Sequence, residues 1–165
     1  ILSNIEKAYD DGNDMKARST MLRASYLAGC SFTRSYVGYV HAIAHTVGGE
    51  YNIPHGYANA VILPLVLEAY RPHIDKKLWK LAVAANLADE LTPVNVGADA
   101  FMARIKKLKE KFSIPETIKE IRKEDIERLS KYADKEGNPL YPVPVAMDAK
   151  ELEVFYNVLR GQDNE

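Results

Sequence analysis

Gly38-Tyr39-Val40-His41-Ala42-Ile43-Ala44-His45-Thr46-Val47-Gly48-Gly49-Glu50-Tyr51-Asn52-Ile53-Pro54-His55-Gly56 is the stretch on which fold and function both turn. It holds three of the four histidines in the chain. His41 and His45 are one helical turn apart, so their side chains share a face, with Cβ atoms about 5–6 Å apart. Neutral imidazole is the commonest metal ligand, and an i, i+4 pair can aim two rings at one point. Gly48-Gly49 reads as a helix stop. A short loop then turns the chain back, and Pro54-His55-Gly56 puts a third imidazole at the head of the next helix. A lone histidine on a helix is more often a packed or surface residue. Three in this arrangement argue for a metal or active-site role on two adjacent helices. A zincin protease needs Glu directly after its first histidine. Ala42 stands there, which excludes that route to peptide hydrolysis.

Outward from this stretch, helical patterns dominate. A short first helix ends in the turn Asp11-Gly12-Asn13-Asp14, and Asp14 is a natural N-cap for a second helix over 15–32. Met21, Ala24, Ser25, Ala28 and Gly29 recur along it at helical spacing, the pattern of a core face. The histidine pair sits on a third helix over 35–47. A fourth, very apolar helix runs over 55–70 with a kink expected at Pro64. Pro72 restarts the chain, and Leu78, Leu81, Ala82, Ala85 and Leu87 mark a fifth helix. Residues 92–97 read as a loop. An amphipathic helix over 98–111 follows, its lysines forming a solvated face. Two more helices are predicted over 123–134 and 148–159, the last capped by Asp148, with an extended Pro-rich stretch over 137–144 between them. Strand and hairpin signals are scarce. Seven or eight helices in 165 residues define an all-α chain, read as a single domain over 1–165.

Bulk properties narrow the function. Hydrophobic residues make up 47% and charged residues 27%, with a net charge of −1. Such a balance offers no basic face for nucleic acid. No apolar run approaches the ~18 residues of a membrane span. Cys30 is the only cysteine, so no intrachain disulfide forms, and a reducing, cytoplasmic compartment is expected. Cys30 itself reads as a small packing residue, and His73 as a surface or helix-start residue. The chain opens at Ile1 without a signal peptide, which suggests a piece of a longer or processed protein.

Leu27-Ala28-Gly29, Gly38-Tyr39-Val40-His41-Ala42-Ile43-Ala44-His45, Gly48-Gly49, Pro54-His55-Gly56-Tyr57-Ala58-Asn59-Ala60 and Leu63-Pro64 together resemble the iron-containing (group III) alcohol dehydrogenases. Asn138-Pro139 to Val145, with Met147-Asp148, is similar to the same family. The resemblance implies the family's C-terminal helical domain, which carries a divalent metal, usually Fe²⁺ and sometimes Zn²⁺, held by one Asp and three His. His41 and His55 correspond to two of the metal ligands. His45 corresponds to the histidine lining the pocket near nicotinamide and substrate, not to a ligand.

The other ligands, an Asp and a His four residues on, belong by resemblance to a helix ahead of this chain, and no Asp-x-x-x-His occurs here. The Gly-rich segment of an N-terminal domain that binds NAD or NADP is absent too. A second departure is Arg34-Ser35, where many members carry Asn with a small residue. The implied activity is metal-assisted hydride transfer between a small-molecule alcohol and an aldehyde or ketone, with this chain inactive by itself and holding metal weakly. Loss of the partner domain would bare an apolar face and favour self-association into a homo-oligomer. Two alternatives stay open: a glycerol-dehydrogenase-like enzyme of the same superfamily, and a stand-alone helical module without catalysis.

Overall fold

The structure, a computed structural model, describes residues 1–161. These residues contain seven α-helices, one 3-10 turn and no strand, as the all-α expectation required. Where the sequence reads as one domain, the contacts form two compact units, Ile1–Tyr36 and Val37 onward.

The first unit holds α1 (Ile5–Asp10) and α2 (Met15–Ser35). The turn between them is built from side chains: Asp11 Oδ1 accepts from the Asn13 amide at 2.8 Å, and Asp14 Oδ1 accepts from Ala17 at 2.9 Å. The latter is the N-cap bond expected of Asp14. The small-residue stripe of α2 does not form a core. Met21, Ala24 and Gly29 are half-buried, and Ser25, Ala28 and Cys30 are exposed. Leu22, Tyr26, Leu27 and Phe32 are exposed as well. Periodicity marks a face that tolerates close packing, but a partner must be present to bury it.

The second unit comprises α3 (Tyr39–Tyr51), α4 (His55–Ala84), α5 (Val94–Lys111), a 3-10 turn (Lys123–Asp125), α6 (Ile126–Gly137) and α7 (Ala149–Arg160). Helix α3 packs against both α4 and α6, α5 packs against α4, and α7 against α6. The core runs through this stack and includes Tyr39, Ile43, Val47, Ile62, Leu129, Leu152 and Tyr156.

Several local expectations are overturned by packing. Helix α3 does not stop at Gly48-Gly49 but continues to Tyr51 and ends at Asn52, whose φ of 56° and ψ of 36° are left-handed. Asn tolerates that conformation, and Gly48 serves proximity instead, since a Cβ there would lie 3.2 Å from the Ile53 carbonyl oxygen. Helix α4 continues through Pro72, where the sequence suggested a restart, and also contains Pro64. Each proline removes one donor, but buried Pro64 sits in the core, and α5 packs along α4. The helix ends only where Asn86 turns to a φ of 56°. Helix α5 begins at Val94, not at residue 98, and Gly97 lies inside it under the Trp79 indole. The lysine-rich face of α5 is not wholly solvated: Lys109 is buried and donates to Glu116 at 2.9 Å. His73 is exposed as expected, and Asp148 and Glu151 form a reciprocal capping box.

One contact sets the α3–α6 spacing. Tyr39 is fully buried, and a Cβ on Gly137 would fall 2.6 Å from its ring. The Tyr39 hydroxyl accepts from the Met147 amide at 2.9 Å and lies 2.7 Å from Asn138 Oδ1. Asn138 in turn donates to the Met147 carbonyl at 2.8 Å. Both ends of the 138–147 segment are thereby tied to α3.

Gly137→Ala is expected to destabilise by about 1–3 kcal/mol, the usual penalty for forcing a methyl into a filled core. Gly49→Ala, where nothing lies within 4 Å of the added Cβ, should instead be neutral or stabilise by up to ~1 kcal/mol. Urea unfolding of the two variants checks the contrast.

Candidate metal centre

His41 and His45 project from α3, and His55 is the first residue of α4. The tight turn at Asn52 returns the chain so that all three rings meet. Ring centroids are 5.9 Å apart for His41–His45, 5.3 Å for His41–His55 and 5.1 Å for His45–His55. His45 and His55 stack with an interplanar angle of 21°. Burial, and then the neighbouring His55 and His45, hold His41 below its ordinary value, with Glu136 opposing. That favours neutral imidazole, the form that binds a cation.

A cleft of about 500 Å³ opens beside His41 and His55, walled by Gly38, Val40, Leu63, Asn59 and Tyr70. Asn59 Nδ2 donates to the His55 carbonyl at 2.9 Å and lies 3.1 Å from His55 Nε2. Two buried polar atoms on this wall, Asn59 Oδ1 and the Tyr70 hydroxyl, have no hydrogen-bond partner among the described residues. Burial also holds the Tyr70 phenol above its ordinary range, so it remains a donor.

Among the described residues, no group of three or more His, Cys, Asp or Glu is disposed to hold a metal ion. Catalytic zinc sites use three protein ligands and structural ones four. The donor chemistry of His41 and His55 suits a divalent cation, but the pair makes only part of a coordination sphere. No helix among the described residues is long and apolar enough to cross a membrane.

Sequence reading missed what backs the cluster. His45 Nδ1 is 2.7 Å from Glu136 Oε1, on α6 and 91 residues away. The same oxygen accepts from the Tyr141 hydroxyl at 2.7 Å. No local pattern signals such a partner, because only the α3–α6 contact brings it close. On the other side of His45, a groove of about 310 Å³ is lined by Thr46, Glu50, Arg128, Tyr132 and Glu136. Two of its lining residues, Glu50 and Arg128, belong to an ionic lattice. Asp125, buried, accepts from Tyr51 at 2.8 Å, from Arg122 at 2.7 Å and from Arg128 at 2.7 Å. Arg128 also grips Glu50 through both of its terminal nitrogens at 2.9 Å. These bonds clamp the C-terminal turn of α3 to the start of α6. The Arg128 hydrogen bond, then that of Tyr51, holds the Asp125 carboxyl down at about 2.

With this geometry established, likeness to known proteins defines the class. Residues 1–157 match the model of the Fe-containing alcohol dehydrogenase family, C-terminal. The chain therefore belongs to the Fe-containing alcohol dehydrogenase family. It is 39% identical over 137 residues to alcohol dehydrogenase 4 of Saccharomyces cerevisiae, covering 81% of this chain and 34% of that protein. It is 35% identical over 161 residues to the 1,3-propanediol dehydrogenase of Citrobacter freundii, covering 94% of this chain and 41% of that one. A crystal structure of 1,3-propanediol oxidoreductase superposes with a TM-score of 0.85 at 30% identity, covering 94% of this chain and 41% of that one. The chain thus spans 34–41% of the length of these relatives.

Asp125 gives a pH dependence with a definite sign. Its carboxyl is held below the unfolded value of about 3.9, so its contribution is complete above that value and fades as pH falls toward about 2. Asp125→Asn should therefore lower the urea midpoint at pH 6, and the gap to the parent chain should narrow below pH 4. An unchanged gap between pH 6 and pH 3 would place the stabilisation elsewhere.

Proposed function

We propose that this chain is the helical, metal-bearing part of an NAD- or NADP-dependent alcohol dehydrogenase that interconverts a small alcohol and its aldehyde or ketone. The observation carrying the proposal is the approach of His41 and His55, on adjacent helices, beside a cleft with unpartnered polar groups on its wall. Relatives named for alcohol and for 1,3-propanediol suggest short alcohols and diols as the substrate class.

His41 and His55 would hold the cation, Fe²⁺ or Zn²⁺. When bound, the ion would supply Lewis acidity at the substrate oxygen and the dinucleotide would supply the hydride acceptor or donor. This chain's residues do the positioning. Depression of His41 by burial and by its histidine neighbours keeps its lone pair available. The apolar walls Val40 and Leu63 limit water in the cleft, and Asn59 braces the backbone and ring of His55. His45, beside both ligands, is the candidate to orient the nicotinamide or pass a proton. The remaining ligands and the dinucleotide site would come from outside the described residues. Exposed apolar side chains on α2, from Leu22 to Phe32, support an interface with further protein or a second copy. The lone cysteine suits a cytoplasmic setting.

Activity of the full gene product bearing this chain, assayed with NAD and NADP across short alcohols and diols, tests the proposal. Chelation should abolish turnover, and Fe²⁺ or Zn²⁺ should restore it. His41→Ala and His55→Ala should each lower kcat/KM by more than about 100-fold, beyond the 10–100-fold typical for loss of an outer partner. Full activity in both variants would remove these residues from the metal site.

A further inference from the structure

We infer that Glu136 is the positioning residue for His45: it fixes the imidazole ring in place with the proton on Nδ1 and leaves Nε2 as the acceptor. A carboxylate only accepts, so the nitrogen 2.7 Å from Glu136 Oε1 must be an N–H. In the neutral ring the other nitrogen then carries the lone pair, since the hydrogen bond at one nitrogen sets the state of the other. His45 and His55 are stacked 5.1 Å apart, so this choice decides what His45 offers to a polar group entering beside His55.

Glu136 is itself held in place. The Tyr141 hydroxyl donates to the same oxygen at 2.7 Å. Burial, and then the Glu136 bond, push the Tyr141 phenol up to about 12, so it stays a donor and does not compete for the His45 proton. Backbone restraint adds to this. Glu136 precedes Gly137, against which the Tyr39 ring is packed, and Tyr39 holds Asn138 and Met147 at both ends of the next segment. The carboxylate thus sits on a pinned turn. An exposed ion pair is screened by water and contributes little to stability. Here the His45 and Glu136 side chains are 44% and 31% exposed, but the acid is fixed from two further directions. Loss of such outer partners commonly costs 10–100-fold in activity or affinity.

The consequence for turnover rests on the dehydrogenase proposal above, whereas the tautomer does not, and two measurements keep them apart. The first is long-range ¹H–¹⁵N NMR of the metal-free chain, read at a pH high enough for the His45 ring to be neutral. His45 should show a protonated Nδ1 and an unprotonated Nε2. Glu136→Gln, whose amide oxygen still accepts, should keep that pattern, whereas Glu136→Ala should lose it with His41 and His55 signals little changed. An Nε2–H ring in the parent chain overturns the inference without any variant, even if Glu136→Ala fails to fold. So does a Glu136→Ala ring identical to the parent. The second is turnover of the full gene product. Glu136→Ala should lower kcat/KM by about 10–100-fold, with most of the loss recovered in Glu136→Gln. Unchanged turnover in Glu136→Ala, with the tautomer altered as expected, overturns the positioning role. A gene product inactive on every alcohol counts against the dehydrogenase proposal and leaves the NMR result to decide the tautomer.

Discussion

The ring of Tyr39 occupies the space that a side chain on residue 137 would fill. This close approach of α3 to α6 governs the rest of the second unit. It sets how near the histidine face of α3 comes to the C-terminal turn of α6, and so puts Glu136 within reach of His45. The same hydroxyl takes the Met147 amide and faces Asn138, which holds the chain between α6 and α7 against α3. A buried polar group of this kind is stable only when its hydrogen bonds are made, so the contact specifies one packing.

The two sides of the histidine cluster differ in chemistry. Toward α6 and the 3-10 turn, the charged side chains beside the cluster are paired. Asp125, Arg122, Arg128, Glu50 and Tyr51 satisfy one another, and Glu136 is shared by His45 and Tyr141. Toward the cleft, Asn59 Oδ1 and the Tyr70 hydroxyl are left without partners. Buried groups of that kind are costly unless satisfied. The matched side backs the cluster, and the unmatched side is the face at which the proposed function would have a polar group enter. His41 and His55 lie at that face.

Much of this was legible in the sequence, for a physical reason. Helix-forming periodicity, the caps at Asp14 and Asp148 and the i, i+4 histidine pair are local, and local rules read them correctly. Gly48-Gly49 and Pro72 were misread because a local penalty was weighed without the packing that opposes it. The α2 stripe failed in the opposite sense: its pattern is that of a buried face, but burial needs a second surface, and Leu22, Tyr26 and Phe32 are exposed. Lys109 escaped notice because its pairing depends on where Glu116 returns after α5 ends at Lys111.

The likeness to iron-containing alcohol dehydrogenases came from matching motifs. From its residues alone the sequence determined that the chain is helical and that His41, His45 and His55 fall on two successive helices. These follow from residue spacing along the chain, which backbone geometry converts directly into direction. Only the tertiary structure decided that the three rings meet within 6 Å, that Glu136 faces His45, and that Asn59 Oδ1 and the Tyr70 hydroxyl have no hydrogen-bond partner among the described residues. Those facts depend on how far apart helices pack. That distance is set by side chains as remote as Tyr39 and Gly137, and no short-range rule contains it.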